Sequence, residues 1–186
     1  MWEKDGYTMR LAVKEDAEAY YSCNFNPLDP EIVRLTGCKA EFTHDEVVDF
    51  FCRCIESKDR YDFVIAAPDG QIIGESVINE IDELTKSANF RIALFHEEGC
   101  GKGIGSWAIR QTMRFAFEEI GLHRLSLDVF SFNVRAIRAY EKAGFRREGV
   151  FRDAVRDGGR YADDILMSIL ETEWRELYTG NARGDA

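Results

Sequence analysis

GCGKGIGSWAIRQTMRFAFEEIG, residues 99–121, is the stretch whose reading decides the fold. Its first half sets Gly101, Gly103 and Gly105 at alternate positions among Cys100, Lys102, Ile104 and Ser106. Glycines spaced this way let a backbone approach a ligand closely and turn its N–H groups inward. Its second half carries Ile104, Trp107, Ala108, Thr112, Phe115 and Ala116 near helical period, with Gly121 at the expected C′ stop. A Gly-rich loop running straight into a helix adds the positive end of the helix dipole to those amides. Together they predict a cradle for phosphate or pyrophosphate. The loop is not a Walker A element, because Gly-Lys-Ser/Thr after the spacer is missing. The dinucleotide fingerprint needs a different spacing and an early parallel βαβ unit.

Outward from this loop the pattern is one of strands. Residues 61–67, the turn Pro68-Asp69-Gly70 and residues 71–81 read as a hairpin, and 87–95 as a third strand. After the helix, HRLSLDVF (123–130) alternates as a strand, NVRAIRAYEKAG (133–144) is an amphipathic helix, and 145–155 with 160–170 form a closing hairpin across Asp157-Gly158-Gly159. Toward the N-terminus, 7–13 reads as a strand, 14–23 as a helix and NFNPLDP (24–30) as a turn region. Thr43 and Glu46 have capping-box spacing ahead of a helix with Val47, Phe50, Phe51, Cys54 and Ile55 on one face. Without repeats or linkers, this predicts one α+β domain over residues 1–174 with a mostly antiparallel sheet, and a frayed tail over 175–186.

Composition narrows the function classes. The chain has 186 residues, 45% hydrophobic, with a net charge of −10. An acidic balance argues against a general nucleic-acid binder. No apolar run approaches the roughly 20 residues of a membrane span, and MWEKDGYTMR lacks a secretory h-region. Five cysteines, an odd number, fit a reduced, cytoplasmic location. Cys52 and Cys54 lie two apart on a helix, a poor zinc arrangement, so no metal is expected. The charge is unevenly spread. Residues 1–96 hold 19 acids and 10 bases, whereas residues 97–160 hold 9 acids and 12 bases. The basic block coincides with the anion-shaped loop, and the acidic block suits a cationic partner.

With those features in order, the chain resembles the GNAT superfamily of acetyl-CoA-dependent N-acetyltransferases. More narrowly, it is similar to the branch of ribosomal-protein N-terminal and spermidine N-acetyltransferases. The segments that carry the resemblance are MRLAVKEDA (9–17), IIGESVINEID (72–82), GCGKGIGSWA (99–108), FNVRAIRAYEKAGF (132–145) and REGVFRDAVRDGGRYADDILMSIL (147–170). The resemblance implies a mixed, mostly antiparallel, splayed central sheet flanked by helices on both faces.

It implies acetyl-CoA as cosubstrate. The pyrophosphate would lie on the backbone of Cys100, Gly101, Lys102, Gly103, Ile104, Gly105 and Ser106, and the pantetheine arm along Ala93, Leu94 and Phe95 and beside Asn133. Tyr140 is implied as the general acid for the leaving thiolate. Two positions depart from the family pattern: Cys100 stands where Gln or Arg is usual, and Asn89 where many relatives carry Glu. Glu75 is the candidate base, beside Glu80 on the same strand and His96 after the splayed one, with a water chain as the alternative route for the ammonium proton. The expected acceptor is an amine-bearing small molecule or a protein N-terminus, with no nucleic acid and no membrane, and self-association as a homodimer is an expectation of the branch. A noncatalytic acyl-CoA-binding or regulatory module on the same fold is the alternative. Asn133 and Tyr140 together favour the enzyme.

Overall fold

The computed structural model describes residues 1–95 and 101–180. In chain order the elements are β1 (Trp2–Lys4), β2 (Tyr7–Leu11), α1 (Ala17–Asn24), α2 (Pro30–Thr36), α3 (His44–Glu56), β3 (Tyr61–Ala66), β4 (Ile72–Asp82) and β5 (Ser87–Leu94). They continue with α4 (Ile104–Arg114), β6 (Arg124–Phe130), α5 (Val134–Ala143), β7 (Arg146–Asp157), β8 (Arg160–Leu170) and α6 (Glu171–Tyr178). The eight strands make one sheet in the order β1-β2-β3-β4-β5-β6-β8-β7. This is the mixed α+β sheet expected. β1–β2, β2–β3, β3–β4, β6–β8 and β7–β8 pair antiparallel, and β5–β6 is parallel. The parallel ladder covers Ser87↔Arg124, Ala88↔Leu125 and Asn89↔Ser126, although β5 continues to Leu94 and β6 to Phe130.

The chain divides into two compact units, with β4 and β5 running through both. In the first unit, Met1–Asn79 with Arg91–Thr112, the register decides which side chains share a face. Val64 pairs with Glu75, and Phe63 with Ser76. Because strand side chains alternate, these two pairs face opposite ways. Val64 joins Tyr20 of α1, Ile32 of α2 and Val47 and Phe51 of α3 in one buried cluster with Ile72 and Phe95. On the other face Ser76 Oγ donates to Thr112 Oγ1 of α4 at 2.6 Å, and Thr112 donates onward to the Ala108 carbonyl at 2.9 Å. Helices therefore cover both faces here.

In the second unit, Glu80–Phe90 with Met113–Ala186, Leu125, Leu127 and Val129 of β6 and Ile165, Met167 and Ile169 of β8 alternate into the core. Ile137, Tyr140 and Ala143 are the buried stripe of α5. The Phe117 and Trp174 rings meet at 5.4 Å.

The structure differs from the sequence expectation at four elements. β1 is only three residues long, too short for a period, though the Asp5-Gly6 turn that returns it to β2 carries the hairpin dipeptide. α2 occupies part of the expected turn region and the residues after it. Asp29 caps it by accepting from the Glu31 amide at 2.8 Å, and Pro30 is its first residue. The long helix after the Gly-rich loop changes to a π-helical turn over Phe115–Glu119, with the Ile120 amide donating to Phe115 O at 3.1 Å. Finally, Glu171–Tyr178 is a helix rather than fraying at 175. Trp174 is 3% exposed, and Tyr178 Oη donates to the Ala143 carbonyl at 3.1 Å. On α3 the predicted face holds except at Phe50, which is 50% exposed beneath the Arg60 guanidinium.

Candidate active site

The Gly-rich loop delivers the chain into α4. Gly101 and Gly103 adopt φ +77° and +76°, the left-handed region that L side chains enter only at a cost. The first helical bond runs from the Trp107 amide to the Gly103 carbonyl at 3.0 Å. The amides of Ile104, Gly105 and Ser106 therefore head the helix with no acceptor inside it, at the positive end of its dipole. A Cβ added at Gly101 or Gly103 meets no atom of the described residues within 4 Å, so there is open space at both glycines. Donors, dipole and room together fit a phosphate-bearing ligand. Lys102 turns aside, its Nζ donating to Tyr7 Oη at 3.2 Å. Cys100 and His96 lie outside the described residues.

The end of β5 is shaped by Gly74 of β4. A Cβ there would sit 2.5 Å from the Ala93 carbonyl oxygen and 2.8 Å from Leu94 Cδ2. Only glycine lets the Ala93–Leu94 backbone come this close. The Phe95 amide donates to the Ile73 carbonyl at 2.8 Å, and the Phe95 ring is buried against Tyr20 and Phe25. One residue beyond Gly74, Glu75 lies on the α1 face with its side chain 17% exposed. Tyr20 Oη donates to its Oε2 at 2.7 Å, and Arg91 Nη2 to its Oε1 at 3.3 Å. Burial, followed by the Glu75 charge, pushes the Tyr20 phenol well up and keeps it a donor.

In the second unit Asn133 caps α5, its Oδ1 accepting from the Ala136 amide at 3.2 Å. One face later, Tyr140 is 7% exposed, its ring against Phe90 and Phe145. Its hydroxyl has no hydrogen-bond partner among the described residues. Burial first, and then the charge of Asp128, raise its pKa far above that of an ordinary phenol, so it is fully protonated at neutral pH.

The loop that opens α4, the strand end seated by Gly74 and the buried phenol of α5 lie in a sequence that matches one family. Its acetyltransferase (GNAT) domain model covers residues 7–146. The chain belongs to the GNAT acetyltransferase family. The uncharacterized N-acetyltransferase YokL of Bacillus subtilis, derived from the SPbeta prophage, is 28% identical over 93% of this chain and 94% of its own. The spermidine N(1)-acetyltransferase of Escherichia coli K12 is 30% identical over 69% of this chain and 68% of its own. Among solved structures, spermidine N-acetyltransferase from Vibrio cholerae in complex with CoA and spermine superposes with a TM-score of 0.81. It is 26% identical, covering 92% of this chain and 99% of that one.

This GNAT chain brings together, within its first unit, the loop residues Gly101, Lys102, Gly103, Ile104, Gly105 and Ser106 and the strand end Ala93, Leu94 and Phe95. Gly105 is the contact point, since a Cβ on it would touch Leu94 Cδ1 at 3.5 Å. Asn133 and Tyr140 share α5 in the second unit. Glu80 is exposed at φ +56°. Sequence reasoning missed Tyr20 and Arg91, which hold Glu75, and Gly74, which seats β5. Of these, only Gly74, a glycine inside an apolar strand run, carried a signal of close backbone approach. Among the described residues no helix is long and apolar enough to cross a membrane.

Proposed function

We propose that this N-acetyltransferase takes its acetyl group from acetyl-CoA and passes it directly to a primary amine, with Tyr140 as the general acid. The observation that carries the reading is Tyr140 itself: a buried phenol, held protonated, whose hydroxyl no described residue uses. Acetyl-CoA supplies the activated thioester. The amides heading α4 hold its pyrophosphate, assisted by the dipole and the left-handed glycines. The backbone of Ala93, Leu94 and Phe95 aligns the pantetheine arm as an added strand would be aligned, and Asn133 borders it. As the amine nitrogen bonds to the acetyl carbon and the carbon–sulfur bond breaks, the Tyr140 proton goes to the departing sulfur. The proton of the incoming amine goes to Glu75, directly or through water.

Holding the two reactants in register lowers the barrier by about 7–11 kcal/mol in well-oriented cases, and a placed acid adds roughly 10²–10⁴-fold. The acceptor is a polyamine, a small amine or a protein N-terminus. The acidic balance of residues 1–96 supports a cationic one. The test is thiol release from acetyl-CoA across an amine panel containing spermidine, a diamine, a monoamine and N-terminal peptides. Turnover with at least one amine is expected. Acetyl-CoA binding without turnover on any of them overturns the reading.

A further inference from the structure

We infer that Tyr20 is a positioning residue for the proton transfer: its buried hydroxyl fixes one oxygen of Glu75 and leaves the other to take the proton of the incoming amine. The inference rests on the acetyltransferase reading and deepens it, because it gives the two oxygens of the proposed base different work.

The place of Glu75 comes from the sheet of the first unit. It follows Gly74, where the Ala93 carbonyl oxygen lies 2.5 Å from a would-be Cβ. Its partner on β3 is Val64, so its side chain lies on the face packed by α1 and α3. On β5, Arg91 and Ala93 stand two apart and share a face. Arg91 reaches Glu75, and Ala93 packs against the same α1–α3 cluster. The carboxylate is therefore held beside the strand end proposed to align the pantetheine arm.

The two oxygens of Glu75 are held unequally. The Tyr20 ring is locked by three others, Phe51 of α3 at 4.7 Å, Phe25 at 5.3 Å and Phe95 at 5.9 Å. Its hydroxyl donates to Oε2 at 2.7 Å from a residue that is 7% exposed. Burial, and then the Glu75 charge, keep the phenol protonated, so at neutral pH it donates and takes no proton itself. At the other oxygen, Arg91 Nη2 stands 3.3 Å from Oε1, and the Arg91 side chain is half-exposed. A long contact at the surface gives way to an arriving molecule, whereas a short one behind three rings does not.

The other titratable groups on this face are already engaged. Arg60 and Asp62 of β3 bind each other through two contacts, at 2.7 and 2.6 Å. Cys54 of α3 is buried, and burial pushes its thiol up, so it is uncharged at neutral pH. A glutamate carboxyl group turns about its last bond with little preference. The Tyr20 hydrogen bond removes that freedom before the reaction and aims a lone pair of Oε1 in advance. As the amine nitrogen bonds to the acetyl carbon, its N–H bond breaks and an O–H bond forms at Oε1, directly or through water. Tyr20 keeps its own proton throughout.

The test measures thiol release from acetyl-CoA by the full chain with each amine of the panel, in Tyr20→Phe, Glu75→Gln and the double variant. Tyr20→Phe keeps the packed ring and removes the donor. Its kcat is expected to fall about 10-fold or more with the KM for acetyl-CoA unchanged. In the Glu75→Gln background the same change is expected to cost less than about twofold, because no base is left to aim. A loss repeated in full in that background, or one that appears as a raised KM for acetyl-CoA, overturns the role and makes Tyr20 structural. Where Tyr20→Phe disturbs folding, Glu75→Asp decides, since its carboxylate falls one methylene short of the fixed hydroxyl. A kcat lowered about 10-fold there supports the role, and a wild-type kcat overturns it. Absence of turnover by the wild type with every amine overturns this role and the acetyltransferase reading together. Turnover that is unchanged in Tyr20→Phe overturns the role alone.

Discussion

Replacing Gly74 with alanine separates the seat of β5 from the rest of the fold. The new Cβ would lie 2.5 Å from the Ala93 carbonyl oxygen, against about 3.4 Å for an ordinary contact, a deficit of roughly 0.9 Å. Leu94 Cδ2, at 2.8 Å, can rotate away, but the carbonyl belongs to the backbone, so the strand end itself must move. Overpacking of this kind costs about 1–3 kcal/mol, which in a chain of this size lowers Tm by roughly 2–4 °C per kcal/mol. The displaced residues are those proposed to align the pantetheine arm, and a misplacement near 1 Å costs on the order of 10²-fold in rate. Thermal denaturation and kcat/KM for acetyl-CoA together make the assay. Gly70→Ala is the control. Its φ is +88°, a Cβ there meets nothing within 4 Å, and it sits in the β3–β4 turn, so it should cost about 1–2 kcal/mol and leave kinetics alone. A Gly74→Ala protein with wild-type Tm and wild-type kcat/KM would refute the reasoning.

Further expectations concern the proposed roles directly. Tyr140→Phe removes a hydroxyl with no partner among the described residues, so stability near neutral pH should hold while kcat falls roughly 10²–10⁴-fold with little change in acetyl-CoA affinity. An unchanged kcat removes Tyr140 from the mechanism. Because the folded Tyr140 pKa lies above the unfolded value of about 10, the unfolded chain loses this proton first. Stability in the wild type should therefore decline as pH rises past 10, with a shallower decline in Tyr140→Phe when melting is followed against pH. Gly103→Val forces a β-branched residue to φ +76° and fills the open space at that glycine. Acetyl-CoA affinity should drop at least about tenfold by calorimetry, and retained affinity contradicts the anion cradle. Glu75→Gln keeps an acceptor for Tyr20 but removes the base. The amine kcat/KM at neutral pH should fall about 100-fold and recover as pH approaches the pKa of the amine, whereas a uniform loss across pH points to a positioning role instead.

Much of this was legible in residue order. The Gly-x-Gly-x-Gly run before an amphipathic helix, the alternation of β6 and β8, and the glycine stops at Gly121 and Gly144 are all local signals, and the elements formed where they pointed. α2 escaped because seven residues show too little period, although Asp29-Pro30 and Gly37 marked both ends. α6 escaped because one apolar residue, Trp174, anchors it, and a single anchor carries no periodicity.

What the sequence by itself determined about this protein is therefore most of its elements, the Gly-rich turn into α4 as an anion-site candidate and the candidacy of Tyr140, since each rests on neighbours along the chain. What only the tertiary structure decided is which distant residues meet. Glu75 is held by Tyr20 and Arg91, Gly74 yields to Ala93, and Asp164 pairs with Phe130 on one side and Phe151 on the other. Those meetings depend on strand register, where a slip of one residue turns every side chain to the other face. Only the packed sheet specifies that register.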